Sequence, residues 1–234
     1  MDVVQELCEF TRLPVEEVRQ RMHEHIHRTA RLFNEHEGTP ESFYKTTDAY
    51  LFELANWEGC AFRKWLAETL ARGLGGKRLH VLEYGFGIGS FALKLAEQAF
   101  HVTACDVNEP AISFFRFRVA KRQWEDRVDI VYPDEALCRI SAYSVISSQH
   151  VLEHVPDPLD TLRRFCQCLK LGGIFLGIAP FDLVGPDFPE HDPKNACLRL
   201  STLCEEAGLR VEDIFPFQQM GNSTFELVQA VKEK

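Results

Sequence analysis

The sequence predicts an α/β fold: an open, mostly parallel sheet of seven strands with a C-terminal antiparallel hairpin, preceded by an α-helical region. Three observations predict it. From residue 79 onward, short apolar runs alternate with segments of helical period, as in βα units that build a parallel sheet covered on both faces. The last two runs, Leu209–Phe215 and Thr224–Val231, flank Gln218-Gln-Met-Gly-Asn-Ser and so pair antiparallel. Before that point the period is helical throughout.

The elements follow in order. Val3, Val4, Leu7 and Phe10 form a short apolar stripe. Pro14, Glu16 and Glu17 open a helix to about Phe33, since proline suits the first turn and acids suit the positive helix end. Glu37-Gly-Thr-Pro-Glu-Ser reads as a loop. Helical stretches Thr47–Trp57 and Cys60–Leu74 come next, and Gly73-Leu-Gly-Gly-Lys stops the second. Strands are expected at 79–84, 101–106, 128–132, 143–148 and 173–178, and helices at 89–98, 109–124, 157–169 and 195–207. The chain thus divides into a helical lid, residues 1–77, and a sheet domain, residues 78–234.

With 234 residues, 45% hydrophobic and 26% charged, the chain has the make-up of a folded globule and not of a disordered one. A net charge of −9 disfavours a broad footprint for nucleic acid. The longest apolar stretch, Gly172–Phe181, is too short to span a bilayer, so membrane insertion is not expected. The acidic N-terminus lacks a secretory signal. Eight cysteines without a CxxC pair read as reduced, mostly buried thiols in a cytoplasmic protein.

The sharpest local feature is Val81-Leu-Glu-Tyr-Gly-Phe-Gly-Ile-Gly-Ser90, at a strand end and helix start. Gly85, Gly87 and Gly89, with Phe86 between them, let a ligand approach the backbone closely. The second strand ends in Asp106, placed to accept hydrogen bonds from ribose hydroxyls. Glu83 decides which nucleotide: a carboxylate there opposes a pyrophosphate and attracts an ammonium. Ribose plus ammonium without phosphate describes S-adenosylmethionine and disfavours NAD.

At these residues the sequence resembles the class I S-adenosylmethionine-dependent methyltransferases, a Rossmann-like fold. The likeness continues through Ser144-Val-Ile-Ser-Ser-Gln-His-Val-Leu-Glu-His154-Val-Pro-Asp-Pro158 and Leu169-Lys-Leu-Gly-Gly-Ile-Phe-Leu-Gly-Ile-Ala-Pro180, covering about residues 79–180. It is similar to the small-molecule, ubiquinone-biosynthesis-like members. The resemblance implies that Glu83 and Gly85 hold the methionine amino group and Asp106 the ribose. It further implies that Val107 lines the adenine and Asp134 reads its amino group. Gln149 is assigned to the cofactor as well. The family's usual Asp at the start of the fourth strand is Ser144 here.

The ligand of an open α/β sheet lies beyond the strands' carboxyl ends, which brings Ser148, Gln149, His150, Glu153 and His154 forward. His150 and His154, four apart, share a face if a helix starts there. His150, His154 and His191, in Phe188-Pro-Glu-His-Asp-Pro193, are the candidate bases; Tyr44 and Tyr50 are candidate lid contacts. His150-Val-Leu-Glu153-His154 also spells a zinc-peptidase motif that this fold class does not suit, and no metal is expected. His23 with His27, and Arg116, Arg118, Lys121 and Arg122, read as solvated helix faces. The expected activity is methyl transfer to a small-molecule hydroxyl, with nitrogen or carbon as other acceptor atoms. A protein or RNA acceptor, or a non-catalytic S-adenosylmethionine-binding module, is the alternative. Monomer and homodimer are both compatible.

Overall fold

The computed structural model describes residues 2–59, 61–74, 79–220 and 223–233. Six helices come first: α1 (Val3–Thr11), α2 (Val15–His23), α3 (His25–Glu35), α4 (Pro40–Thr46), α5 (Ala49–Asn56) and α6 (Ala61–Gly73). The sheet region follows as β1 (His80–Tyr84), α7 (Ser90–Glu97), β2 (His101–Cys105), α8 (Glu109–Arg122), β3 (Val128–Val131), α9 (Pro133–Leu137) and β4 (Tyr143–Gln149). It ends with α10 (Pro158–Cys168), β5 (Leu169–Ile178), α11 (Leu200–Glu206), β6 (Arg210–Met220) and β7 (Ser223–Val231). The seven strands run β3-β2-β1-β4-β5-β7-β6, and β7 is antiparallel to both β5 and β6. The strand order reverses at β1, between β2 and β4, and this reversal opens a crevice at the carboxyl ends.

Alternation along each strand feeds two cores. Val81, Val102 and Val145 face α7 and α8 with Phe91 and Phe115. Leu82, Ile146 and Phe175 face α10 and α11 with Phe165 and Leu203. A third cluster, Leu7, Val18, Phe52 and Phe114, fastens α1, α2 and α5 onto α8. The helical region is therefore packed onto the sheet region by burial of large side chains.

Several expectations need correcting. The helix expected from Pro14 to Phe33 breaks at Glu24 into α2 and α3, so His23 and His27 share no continuous face. The stretch read as a loop at 37–42 contains the start of α4, capped by the Thr39 side chain accepting from Ser42 N, with Pro40 at the first position. Residues 193–207 hold a 3₁₀ turn, Pro193–Asn195, and then α11, not one helix. Arg118 belongs to no solvated face: it is 0% exposed. Of the described cysteines, Cys105, Cys168 and Cys204 are buried while Cys138 and Cys197 are exposed. The 77/78 boundary and the Cys60 start of the fourth helical stretch lie outside the described residues. Among the described residues no helix is long and apolar enough to cross a membrane.

Candidate functional site

A cavity of about 550 Å³ opens at the carboxyl ends of β1, β2 and β4, roofed by α4 and α5. Its floor is the glycine loop. Gly85 N and Phe86 N both donate to Cys105 O, at 2.8 and 3.3 Å, so the loop is stitched to the end of β2. Asp106 completes the stitch. Its Oδ2 accepts from Gly87 N at 2.8 Å, and its Oδ1 accepts from Val107 N at 2.7 Å and Asn108 N at 2.9 Å. Burial pushes the Asp106 pKa above the usual range, against these donors. Gly85, Gly87 and Gly89 all have positive φ. A Cβ on Gly85 would sit 2.1 Å from Val151, on Gly87 2.4 Å from Leu54, and on Gly89 2.0 Å from the Phe115 ring.

Glu83, one strand residue before the loop, is buried, and its Oε2 has no hydrogen-bond partner. Burial pushes its pKa up to about 8, with the Arg63 charge pulling the other way. Arg63, on α6, lines the same cavity. Phe86, Val107 and Gln149 line it too, Gln149 donating to Ser147 Oγ at 3.2 Å. Asp134 stands apart: its side chain is 95% exposed, 3.5 Å from Arg164, and Pro133 lines the cavity in its place.

The other side of the cavity lies under α4. β4 does not run into an α-helix. His150 has φ 57°, and Leu152–His154 form a 3₁₀ turn, so the shared α-helical face expected for His150 and His154 does not form. His150 Nδ1 is 3.7 Å from Glu153 Oε1. His154 and His191 do meet, rings perpendicular and 4.6 Å apart. Burial, then the neighbouring His191, pushes the His154 pKa down to about 3; burial pushes that of His191 down to about 4. The Tyr44 hydroxyl donates to Glu190 O and lies 3.4 Å from His154 Nδ1. Tyr50 stacks near Tyr44, centroids 6.5 Å apart, and its buried hydroxyl has no partner. Asn108 couples floor and roof, donating from Nδ2 to Tyr44 O at 2.6 Å and Thr47 O at 2.9 Å while capping α8.

Two acids escaped the candidate bases. Glu153 is 1% exposed, with neither oxygen hydrogen-bonded, and burial with the Glu190 charge raises its pKa to about 8. Glu190 is buried with Oε2 unpartnered, and burial raises it to about 7. Glu153 was visible beside His154; Glu190 carries no local signal, because a long loop delivers it. Glu153, His154 and His191 each bring one ligand atom within 4.8 Å of the others, a spacing that a metal ion could draw together. Chemically, this half of the cavity is a ring of hydrogen-bond acceptors and weak bases.

Residues 51–193 match the family model described as a methyltransferase domain, and the chain belongs to that family. The fold is that of the class I methyltransferases. Among curated relatives, the ubiquinone biosynthesis O-methyltransferase of Aromatoleum aromaticum is 31% identical over 102 residues, 43% of each chain. That of Escherichia coli is 30% identical over 158 residues, 57% of this chain and 62% of the relative. The chain spans about half the length of the curated relatives it matches. Among solved structures, the Burkholderia thailandensis 1,6-didemethyltoxoflavin-N1-methyltransferase superposes with TM-score 0.59 at 21% identity, covering 78% of this chain and 82% of that one.

Proposed function

We propose that the chain is an S-adenosylmethionine-dependent methyltransferase acting on a hydroxyl of a small molecule. The observation that carries the cofactor reading is the unpartnered, buried Glu83 oxygen beside a glycine loop pinned to Asp106. An ammonium satisfies Glu83, the Arg63 guanidinium suits the methionine carboxylate, and Asp106 retains a lone pair on Oδ2 for a ribose hydroxyl. Phe86 and Val107 offer apolar surface for the adenine. When bound, S-adenosylmethionine supplies a methyl group on a positively charged sulfur.

The residues under the lid position the acceptor. Alignment of a nucleophile can supply roughly 7–11 kcal/mol in favourable cases, so a roofed cavity is itself a catalytic device. A base is most effective when its pKa lies near the working pH. Glu153 and Glu190 meet that condition; His154 and His191, pushed to about 3 and about 4, do not. Of the buried groups beneath α4, the carboxylates therefore suit the base role better than His154 and His191, which with Tyr44 orient the acceptor, and His150 lines the same cavity as a further base candidate. The family membership and the O-methyltransferase relatives support this reading.

The test is direct. Calorimetry should show S-adenosylmethionine binding without NAD binding. Incubation with a panel of hydroxylated aromatic and aliphatic compounds should then yield S-adenosylhomocysteine and a methylated product by mass spectrometry. NAD binding in place of S-adenosylmethionine would overturn the cofactor reading, and methylation of nitrogen compounds alone would overturn the acceptor.

A further inference from the structure

A second group of ligand-bearing side chains lies at the opposite edge of the sheet. His80 opens β1 and His101 opens β2, and the two are register partners in adjacent parallel strands. Their ring centroids are 4.9 Å apart. Asp129 reaches the same corner from β3, with Oδ2 3.1 Å from His101 Nε2. One ligand atom from each of the three lies within 4.8 Å of the other two. The glycine loop is at the far end of β1, about 13 Å away along the strand, and the proposed reaction uses none of these residues.

We propose that His80, His101 and Asp129 form a divalent transition-metal site of the zinc type that clamps β1, β2 and β3 at the amino edge of the sheet. Zinc takes imidazole nitrogen and carboxylate oxygen at about 2.0–2.2 Å, which places tetrahedral ligand atoms roughly 3.4 Å apart. The His101–Asp129 pair already stands near that spacing at 3.1 Å. His80 stands within 4.8 Å of both, so the ion would draw it in by roughly an ångström. Thr103 Oγ1 stands 2.7 Å from His80 Nε2, an outer partner of the kind that orients a ligating histidine. The His101 and Asp129 side chains are 40% and 45% exposed, which admits the ion and a completing water.

Two cations oppose the site. Arg139 Nη1 is 3.9 Å from Asp129 Oδ2, and the Lys170 charge also reaches His80. Arg139 Nη2 is held by Glu135 at 2.9 Å, so the guanidinium keeps a carboxylate when it yields Asp129. Removing Arg139 should therefore tighten the site.

The experiment uses the full chain after chelator treatment, titrated with Co²⁺ and then with Zn²⁺ as competitor. The expected result is a visible Co²⁺ band of tetrahedral intensity, displaced by Zn²⁺. Zinc at about 100 times Kd should raise Tm by roughly 5–10 °C. His101→Ala and Asp129→Asn should each abolish the band, with S-adenosylmethionine affinity unchanged as proof of folding, and Arg139→Gln should lower Kd several-fold. Absence of a band overturns the proposal. So does a band that survives His101→Ala and Asp129→Asn but disappears in Glu153→Gln, which would place the metal in the cavity under the lid.

Discussion

The guanidinium of Arg118 on α8 donates from Nε to Glu6 of α1 at 2.9 Å, and both side chains are fully buried. Arg118 also donates to Ile88 O at 2.8 Å and to Glu58 at 2.6 Å, and the Ser90 hydroxyl donates to Glu58 in turn. One buried cation thus ties the first helix of the lid to the glycine loop. Removing one member of a buried pair leaves an uncompensated charge, costing about 3–5 kcal/mol. Glu6→Ala leaves Arg118 with Glu58 as its remaining carboxylate and takes Glu6 from Arg122, so it should lower stability by less than that, about 1–3 kcal/mol in chemical denaturation, and weaken S-adenosylmethionine binding through Ile88.

Glu83→Gln should weaken S-adenosylmethionine roughly 10- to 100-fold by calorimetry, the cost of one hydrogen bond to a charged group. Because burial holds Glu83 protonated near neutrality, binding at pH 7 should also release a proton. Buffers of different ionisation enthalpy measure that release, and the variant should lose it.

The ligand-free protein should become less stable between about pH 6.5 and 8. Glu83, Glu153 and Glu190 have folded pKa values raised to about 8, 8 and 7, so the folded state holds protons that the unfolded state has lost. Their contribution is full below the unfolded pKa near 4.5 and fades as pH rises through the folded values. His80, His154 and His191 are lowered and act in the opposite direction, but only below about 6.5. Above that only the carboxyls remain, each worth on the order of 1 kcal/mol per pH unit. Urea denaturation across this window checks the sign, and Glu153→Gln should flatten the slope.

Under the lid, Glu153→Gln should cut kcat by about 10²–10⁴-fold while leaving S-adenosylmethionine affinity intact, if measured with an acceptor found by screening. Tyr44→Phe should chiefly raise KM for the acceptor, because it loosens α4 from Glu190. Equal kcat in Glu153→Gln and the parent protein would remove Glu153 from the base role.

What was legible in the sequence was local. The glycine loop, Glu83 and Asp106 sit within one βαβ unit, so spacing alone assembles the floor of the cavity. Thr39-Pro40 carried a capping signal for α4 that the flanking turn residues obscured. The fate of His150 was hidden, since the i, i+4 spacing has meaning only in an α-helix and the chain leaves β4 through a positive φ. Arg118 looked solvated because its partners, Glu6 and Glu58, are 112 and 60 residues away. Glu190 and Arg63 join the cavity by tertiary packing of a loop and a helix.

The three glycines of the loop each lean on a different neighbour, and this makes them three separate reporters. All share the backbone cost of a positive φ, so that part cancels when alanine variants are compared. What differs is the wall each methyl would push. Gly87→Ala meets the tip of Leu54 on the lid and should change how tightly the roof closes. Gly85→Ala meets Val151 and should disturb the acceptor side first. Gly89→Ala meets the buried Phe115 ring, which has nowhere to go, and should be felt as instability of the whole sheet region.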